Sequence, residues 1–254
     1  MARPQVAGCS RRCAVHDLAA DLRGRGDIPH GAVYPEAMKD TVVIRDVQAS
    51  DVPQAALVLA RAFATNPGML AIFDDVSDEG RVQVLERLYL KFVESCRIGA
   101  VARCAVRSGR IVGVALSYDP NQYPAEGDPG WMMLRGVFAS GLRYVHRIMI
   151  ADVFLRERHL TTPHCYLFML GVEPSAQGSG LGGRLLRDFN QRAIQHGVDA
   201  YLETDRPAAA VIYERDNYRI LREEVFNLQG NIRTWFMLKP LSTLQADERR
   251  RTAH

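Results

Sequence analysis

A chain of 254 residues that is 47% apolar and 24% charged has the material for one packed core and is neither low-complexity nor fibrous. Its net charge of +3, from 32 basic and 29 acidic residues spread along the chain, creates no field of the kind that nucleic acid demands. Five irregularly spaced cysteines argue against a disulfide framework, and no apolar run approaches the ~20 residues of a membrane span, so a cytoplasmic protein is expected, with neither a nucleic-acid nor a membrane partner.

Residues 1 to 40 are rich in Arg, Gly, Pro and Asp without sustained apolar periodicity, and read as a flexible N-terminal extension. Val15 to Leu22 carries a short helical pattern, and Met38 stands just ahead of the first strand as a candidate start. Cys9, Cys13 and His16 lack a matching fourth ligand, so no metal is expected. Thr41 to Val47 alternates as a strand, and Ser50-Asp51 supplies a cap for a helix running to Phe63. Asn66-Pro67-Gly68 breaks that helix. A second helix over Glu79 to Cys96 places Val82, Leu85, Leu88, Tyr89 and Phe92 on one face.

Val101 to Val106 and Ile111 to Tyr118 read as strands joined at Ser108-Gly109, a tight hairpin signal. A loop follows over Asp119 to Gly130, and then a helical insert, Trp131 to Glu157, with Leu134, Phe138, Leu142, Val145 and Met149 at helical spacing. That stripe suits a core face or the wall of an acceptor pocket equally well. His164 to Val172 is a strongly apolar strand, Gly183 to His196 a helix, Ala200 to Glu203 a short strand and Pro207 to Arg215 a short helix. Tyr218 to Phe226 and Ile232 to Leu238 close as a hairpin, and residues 241–254 read as a disordered charged tail. The order predicts one α/β domain over 41–240, with a central mixed, partly antiparallel twisted sheet flanked by helices.

The chemistry concentrates in Gly171-Val172-Glu173-Pro174-Ser175-Ala176-Gln177-Gly178-Ser179-Gly180-Leu181-Gly182-Gly183. A buried strand runs into a glycine-rich turn and straight on into an amphipathic helix. Glycines let the backbone approach a ligand closely, and the free N–H groups at the helix start carry the positive end of the dipole. Together they form an anion site suited to a pyrophosphate. Gly178-x-Gly180-x-x-Gly183, with Glu203 downstream, also satisfies the dinucleotide fingerprint. In that fold, however, the first glycine follows its strand almost at once, and several more parallel βα units are needed. Here five residues, Glu173 to Gln177, intervene, and the remaining chain ends in an antiparallel hairpin.

Gln177-x-x-Gly180-x-Gly182, between such a strand and such a helix, resembles the pyrophosphate signature of the GNAT superfamily of acyl-CoA N-acyltransferases. Tyr201-Leu202-Glu203-Thr204, Ile212-Tyr213-Glu214-Arg215 and Thr234-Trp235-Phe236-Met237 extend the resemblance, in particular to puromycin N-acetyltransferase-like members, over about residues 164 to 240. One departure stands out: the family usually carries Gly-Phe where this chain has Asn217-Tyr218, and Asn tolerates the left-handed backbone that Gly would supply.

The resemblance implies the GNAT fold, with acetyl-CoA as co-substrate. It places the cofactor on Leu170, Gly171 and Val172 and on the turn Gln177, Gly178, Ser179, Gly180, Leu181, Gly182 and Gly183. It also implies direct attack of an amine on the thioester, with oxyanion donors from backbone N–H groups around Leu170 to Val172. Tyr213 is assigned as the acid for the departing thiolate, since an ordinary phenol pKa of about 10 matches that task. Glu203, at the end of its short strand, is the candidate base; a solvated or salt-bridged carboxylate is the plainer alternative. His164 could titrate usefully but reads first as structural; Asp119, Glu126 and Asp128 read as a solvated loop, with attraction of a cationic amine as the alternative. A small-molecule amine acceptor and a monomer or homodimer are expected. A non-catalytic acyl-CoA sensor or scaffold and a protein N-acetyltransferase remain the alternatives.

Overall fold

The computed structural model describes residues 41–123, 142–228 and 230–253, with Leu142 and Arg143 as backbone only. The extension over 1–40, with Cys9, Cys13, His16 and Met38, therefore lies outside the described residues, as do Glu126, Asp128, Leu134 and Phe138. The chain opens with β1, Val42–Asp46, and a single 3-10 turn, Ala49–Asp51. Asp51 closes that turn by accepting the Gln48 N–H at 2.8 Å and pairing with Arg45. Helix α1, Val52–Phe63, follows.

Helix α2, Pro67–Ile72, was not expected, because Asn66-Pro67-Gly68 reads as a break. Proline at the first turn lacks only an N–H that would have no helical partner anyway, and the Asp205 carboxylate accepts the Gly68 N–H at 2.7 Å. Helix α3, Asp78–Gly99, starts where Ser77 Oγ accepts the Gly80 N–H at 3.2 Å, and buries Leu85, Leu88, Tyr89 and Val93. Strands β2, Val101–Arg107, and β3, Arg110–Tyr118, turn through Ser108 at φ 51° and Gly109 at φ 75°. Two successive positive φ values make the turn whose twist matches that of the strands.

Helix α4, Leu142–Arg158, covers the described residues of the insert, and its inward face differs from the expected stripe. Tyr144 and Ile148 are buried, Val145 is partly buried, and Met149 is 51% exposed. The Tyr144 hydroxyl donates to Asp75 at 2.9 Å, a polar anchor that apolar periodicity does not register. The rest of the chain comprises β4, His164–Val172; α5, Leu181–His196; β5, Asp199–Thr204; α6, Pro207–Arg215; β6, Arg219–Asn227; β7, Asn231–Lys239; and α7, Leu241–Thr252.

The seven strands form one sheet in the order β1-β2-β3-β4-β5-β7-β6, and only β4 and β5 pair in parallel. Alternation along β4 and β5 sorts their side chains onto two faces. Cys165, Leu167, Ala200 and Leu202 pack with Leu185 and Phe189 of α5, whereas Tyr166 and Tyr201 turn to the face covered by α4. Helices α1 and α3 cover the remainder of that second face, over β2 and β3.

Residues 241–252 form α7 in place of the expected disordered tail. Its charged composition conceals three anchors: Leu244 is buried in the α5 cluster, the Leu241 N–H donates to Asp199, and Asp247 pairs with Lys239 at 2.8 Å. The Lys239 side chain, 1% exposed, also reaches Asp216 at 3.1 Å. A buried ammonium needs such partners, and α7 supplies one of them. Among the described residues no helix is long and apolar enough to cross a membrane.

Candidate active site

Strand β4 begins in register with β5, His164 opposite Asp199 through Leu167 opposite Leu202. Pairing then stops, although β4 continues to Val172 and β5 to Thr204. At the same level the β3–β4 register shifts, with Leu116 opposite Met169 and Ser117 opposite Leu167, which leaves Phe168 as the extra residue of a bulge. A bulge bends its strand, and past Leu167 and Leu202 no pair joins β4 to β5, which leaves a wedge in the ladder between two neighbouring strands. From 168 onward the β5-facing edge of β4 has no strand partner, so its backbone groups are available to a ligand. The irregularity thus lies at Phe168, two residues before the stretch Leu170 to Val172 expected to supply oxyanion donors.

Within that stretch the chain is closely packed. A Cβ on Gly171 would lie 2.9 Å from Leu59 Cδ2 and 3.0 Å from Ala62 Cβ, so the missing side chain is what lets α1 lie against β4. Leu170 and Val172 face the other way, toward Gly182 at the start of α5.

The turn after β4 takes one 3-10 step, Pro174–Ala176, before Gln177. Gln177 then bonds back to Val172 O through Nε2 at 3.1 Å. Gly178 and Gly180 both hold left-handed backbone, φ 76° and 78°, where any other L-residue would be strained. Ser179 Oγ donates to Ala176 O at 2.6 Å and accepts from Arg107 at 3.3 Å, which fixes the loop between these glycines. The first helix-type bond runs from Arg184 N–H to Gly180 O, so the amides just ahead of it, at Leu181, Gly182 and Gly183, have no helical acceptor. Gln177, Gly178, Ser179 and Gly180 are exposed, and α5 points its positive end at this surface.

Tyr213, on α6, is partly buried against the apolar cluster of the α5 face, its ring centroid 5.8 Å from that of Tyr218. Burial, opposed in part by the charge of Arg206, pushes its phenol up to about 12. At neutral pH it is a proton-loaded donor. The turn after α6 keeps its shape without glycine: Asn217 sits at φ 65° and donates to Asp247 of α7 at 3.0 Å. The departure from the family pattern therefore preserves the backbone and ties the turn to the terminal helix.

Glu203 lies one residue beyond the last β4–β5 pair, on the face opposite Tyr213. Its side chain, 6% exposed, is not solvated: it is held by Tyr201 at 2.8 Å and Tyr166 at 3.0 Å and lies 3.2 Å from His159 Nδ1, a salt bridge whenever that ring is protonated. His159 Nε2 stands 3.1 Å from His164 Nε2, and His164 Nδ1 2.6 Å from Thr162 O. Burial lowers the His164 pKa below its usual value, against the upward pull of the Thr162 carbonyl. Burial first, and then the Glu203 charge, raise the Tyr166 and Tyr201 phenols, which keeps both as hydroxyl donors.

The structure thus brings Glu203 and His164 into one cluster and places Tyr213 and the glycine turn on the other side of the sheet. Sequence reasoning missed His159, which follows α4 and carries no motif; its only signal was its position at the end of the insert. It also missed Asp205, half-buried just past the end of β5 and raised by that partial burial, which caps α2. Asp119 is not the solvated carboxylate expected: Arg192 of α5 grips it at 2.5 and 2.6 Å. Cys96, Cys104 and Cys165 are buried thiols, each pushed up to about 12 by burial, and so are poor nucleophiles.

The model of the acetyltransferase (GNAT) family matches residues 69–216, which include the wedge, the glycine turn, Glu203 and Tyr213. Among solved structures the chain is similar to one described as histone acetyltransferase HPA2 and related acetyltransferase from Corynebacterium glutamicum, with 24% identity over 78% of this chain and 96% of that one and a TM-score of 0.56. It is also similar to arylalkylamine N-acetyltransferase 2 from Aedes aegypti, with 13% identity over 80% of this chain, all of that one and a TM-score of 0.58. At such identities the likeness is one of fold.

Proposed function

The chain belongs to the acetyltransferase (GNAT) family, and from that premise we propose that it transfers an acetyl group from acetyl-CoA directly to the primary amine of a small molecule. The observation that carries this reading is the wedge between β4 and β5, which leads from the glycine turn to the level of Glu203. A pyrophosphate at the amides of 178–183 would direct the pantetheine arm along the unpaired edge of β4. The thioester carbonyl would then reach the amides beside the bulge at Phe168.

In this reading the turn residues Gln177, Gly178, Ser179, Gly180, Leu181, Gly182 and Gly183 hold the cofactor, with Leu170, Gly171 and Val172 lining its path. Tyr213 protonates the departing sulfur from the α5 side, and Glu203 serves the amine from the α4 side. A phenol held near 12 gives up its proton only as the thiolate forms, so the coenzyme is not protonated before the bond breaks.

Titration calorimetry with acetyl-CoA and with NADH tests the first half of the proposal. Binding of acetyl-CoA at micromolar levels with no NADH signal is expected; NADH binding alone would overturn it. Thiol release over a panel of small primary amines tests the second half. Binding without release above background for any amine would instead favour a sensor, and release only with peptide acceptors a protein acetyltransferase.

A further inference from the structure

The hydrogen-bond arithmetic of the Glu203 cluster fixes how many protons it holds. Thr162 O can only accept, so His164 Nδ1 carries a hydrogen. One further proton must lie between His164 Nε2 and His159 Nε2, and another between His159 Nδ1 and Glu203 Oε1. These three contacts require three protons, whereas two neutral imidazoles and a carboxylate supply two. Glu203 is already an acceptor on both oxygens, from Tyr201 on Oε1 and Tyr166 on Oε2, which is the pattern of an ionised carboxylate. The additional proton therefore belongs to the imidazoles. His164, with Nδ1 committed to a carbonyl and its basicity reduced by burial, is the neutral one.

We infer that His159, Glu203 and His164 form a proton-storing relay for the acceptor amine, with His159 as the imidazolium of the loaded state and His164 as the neutral residue that positions it. The inference rests on the acetyltransferase reading for its role in turnover, while the proton count stands on the contact geometry of the cluster. The relay sits at the closed end of the wedge, on the face opposite the proposed cofactor turn. In the unloaded state Glu203 takes one proton from the substrate ammonium and passes it to His159 Nδ1, and the N–H bonding pair stays on nitrogen as the attacking lone pair. A second proton leaves that nitrogen as the C–N bond forms and the C–S bond breaks, and one proton ends on the sulfur as CoA–SH. The relay then releases its proton to solvent. The reaction balances as ammonium plus acetyl-CoA giving amide, CoA–SH and one proton.

The groups facing His159 come from every neighbouring element. Tyr123 lies 4.7 Å away between ring centroids, Tyr166 and His164 reach it from β4, and Tyr201 and Glu203 from β5. Further out, Arg156 lies over the Tyr123 ring, Arg222 of β6 acts on Tyr201, and Asp199 acts on His164. Arg158, next in sequence, is turned to Glu224. Glu203 is the one carboxylate in hydrogen-bond contact with His159 among the described residues.

Nitrogen-15 NMR of the histidine rings in the free protein reads the charge state without any substrate. His159 is expected to show both ring nitrogens protonated, with His164 neutral and protonated on Nδ1. Two neutral rings under those conditions would overturn the inference whatever the protein catalyses. His159→Gln keeps a donor for Glu203 but cannot store a proton. With an amine that the wild type acetylates, kcat/KM is expected to rise with pH as the relay unloads. The variant should lose that limb and about 10²-fold in kcat, and should bind acetyl-CoA as before. An unchanged pH profile in the variant would also overturn it. Failure of the wild type to release thiol with any amine would count against the acetyltransferase reading, whereas the charge state seen by NMR would hold or fall independently of it.

Discussion

The two sides of the β4–β5 wedge are built from opposite materials. On the α5 side the proposed cofactor surface is backbone: glycines in left-handed conformation and amides left over at a helix start. On the α4 side the surface is side chain: two imidazoles, one carboxylate and two phenols in a nearly buried network. Backbone donors suit a ligand part that is the same in every turnover, because their direction is set by the chain path and needs no tuning. A side-chain network can hold and release a proton, and it can be re-formed by changing single residues. The constant half of the proposed reaction therefore rests on conformation and the variable half on composition.

The sharpest way to break that division is to remove chemistry from the first side. Tyr213 is the one proposed proton donor among the α5-face groups, so Tyr213→Phe should lower kcat by about 10² to 10⁴ with acetyl-CoA binding intact. A fall of less than about threefold would show that the thiolate leaves unaided and that this side is backbone alone. A second test asks whether every buried network is functional. Lys239, with Asp216 and Asp247, is as buried as the relay but lies away from the wedge. Lys239→Met should cost about 3 kcal/mol in urea unfolding, because two carboxylates lose their cation, with little change in acetyl-CoA affinity. A large loss of affinity at unchanged stability would merge the two networks.

The smallest effect lies where the two sides touch. Gly171→Ala would press a methyl against Leu59 and Ala62, and should destabilise by about 1 to 3 kcal/mol as α1 is pushed off β4. If α1 moves as one body, amine turnover should fall more than cofactor binding, and the reverse result would place Gly171 with the cofactor side only.

What the sequence made legible follows the same division. The strand, the turn and α5 lie within one continuous segment, and their signals are periodicity and glycine spacing, which are local. Even the substitution at Asn217 was readable, because left-handed backbone has few tolerant residues and Asn is among them. The relay joins His159, His164 and Glu203 across 44 positions, and no spacing rule links the end of a helix to two neighbouring strands. Asp205 and α2 were hidden for the same reason, since Gly68 and its cap are 137 positions apart. Helix α7 was masked by its charge: one buried leucine and one salt-bridged aspartate outweigh a run of exposed arginines only once Lys239 is known to be buried.

The sheet order also has a consequence for synthesis on the ribosome. β7 is made after β6 yet lies between β6 and β5. Until residues 231–239 have emerged, β5 presents a bare edge and β6 has no partner at all. The nascent chain therefore passes through a stage in which Tyr201, Leu202 and Glu203 line an open ladder, a template for pairing with another copy. A stalled or truncated product would stop at that stage, and chaperone demand should be concentrated in the interval before β7 inserts.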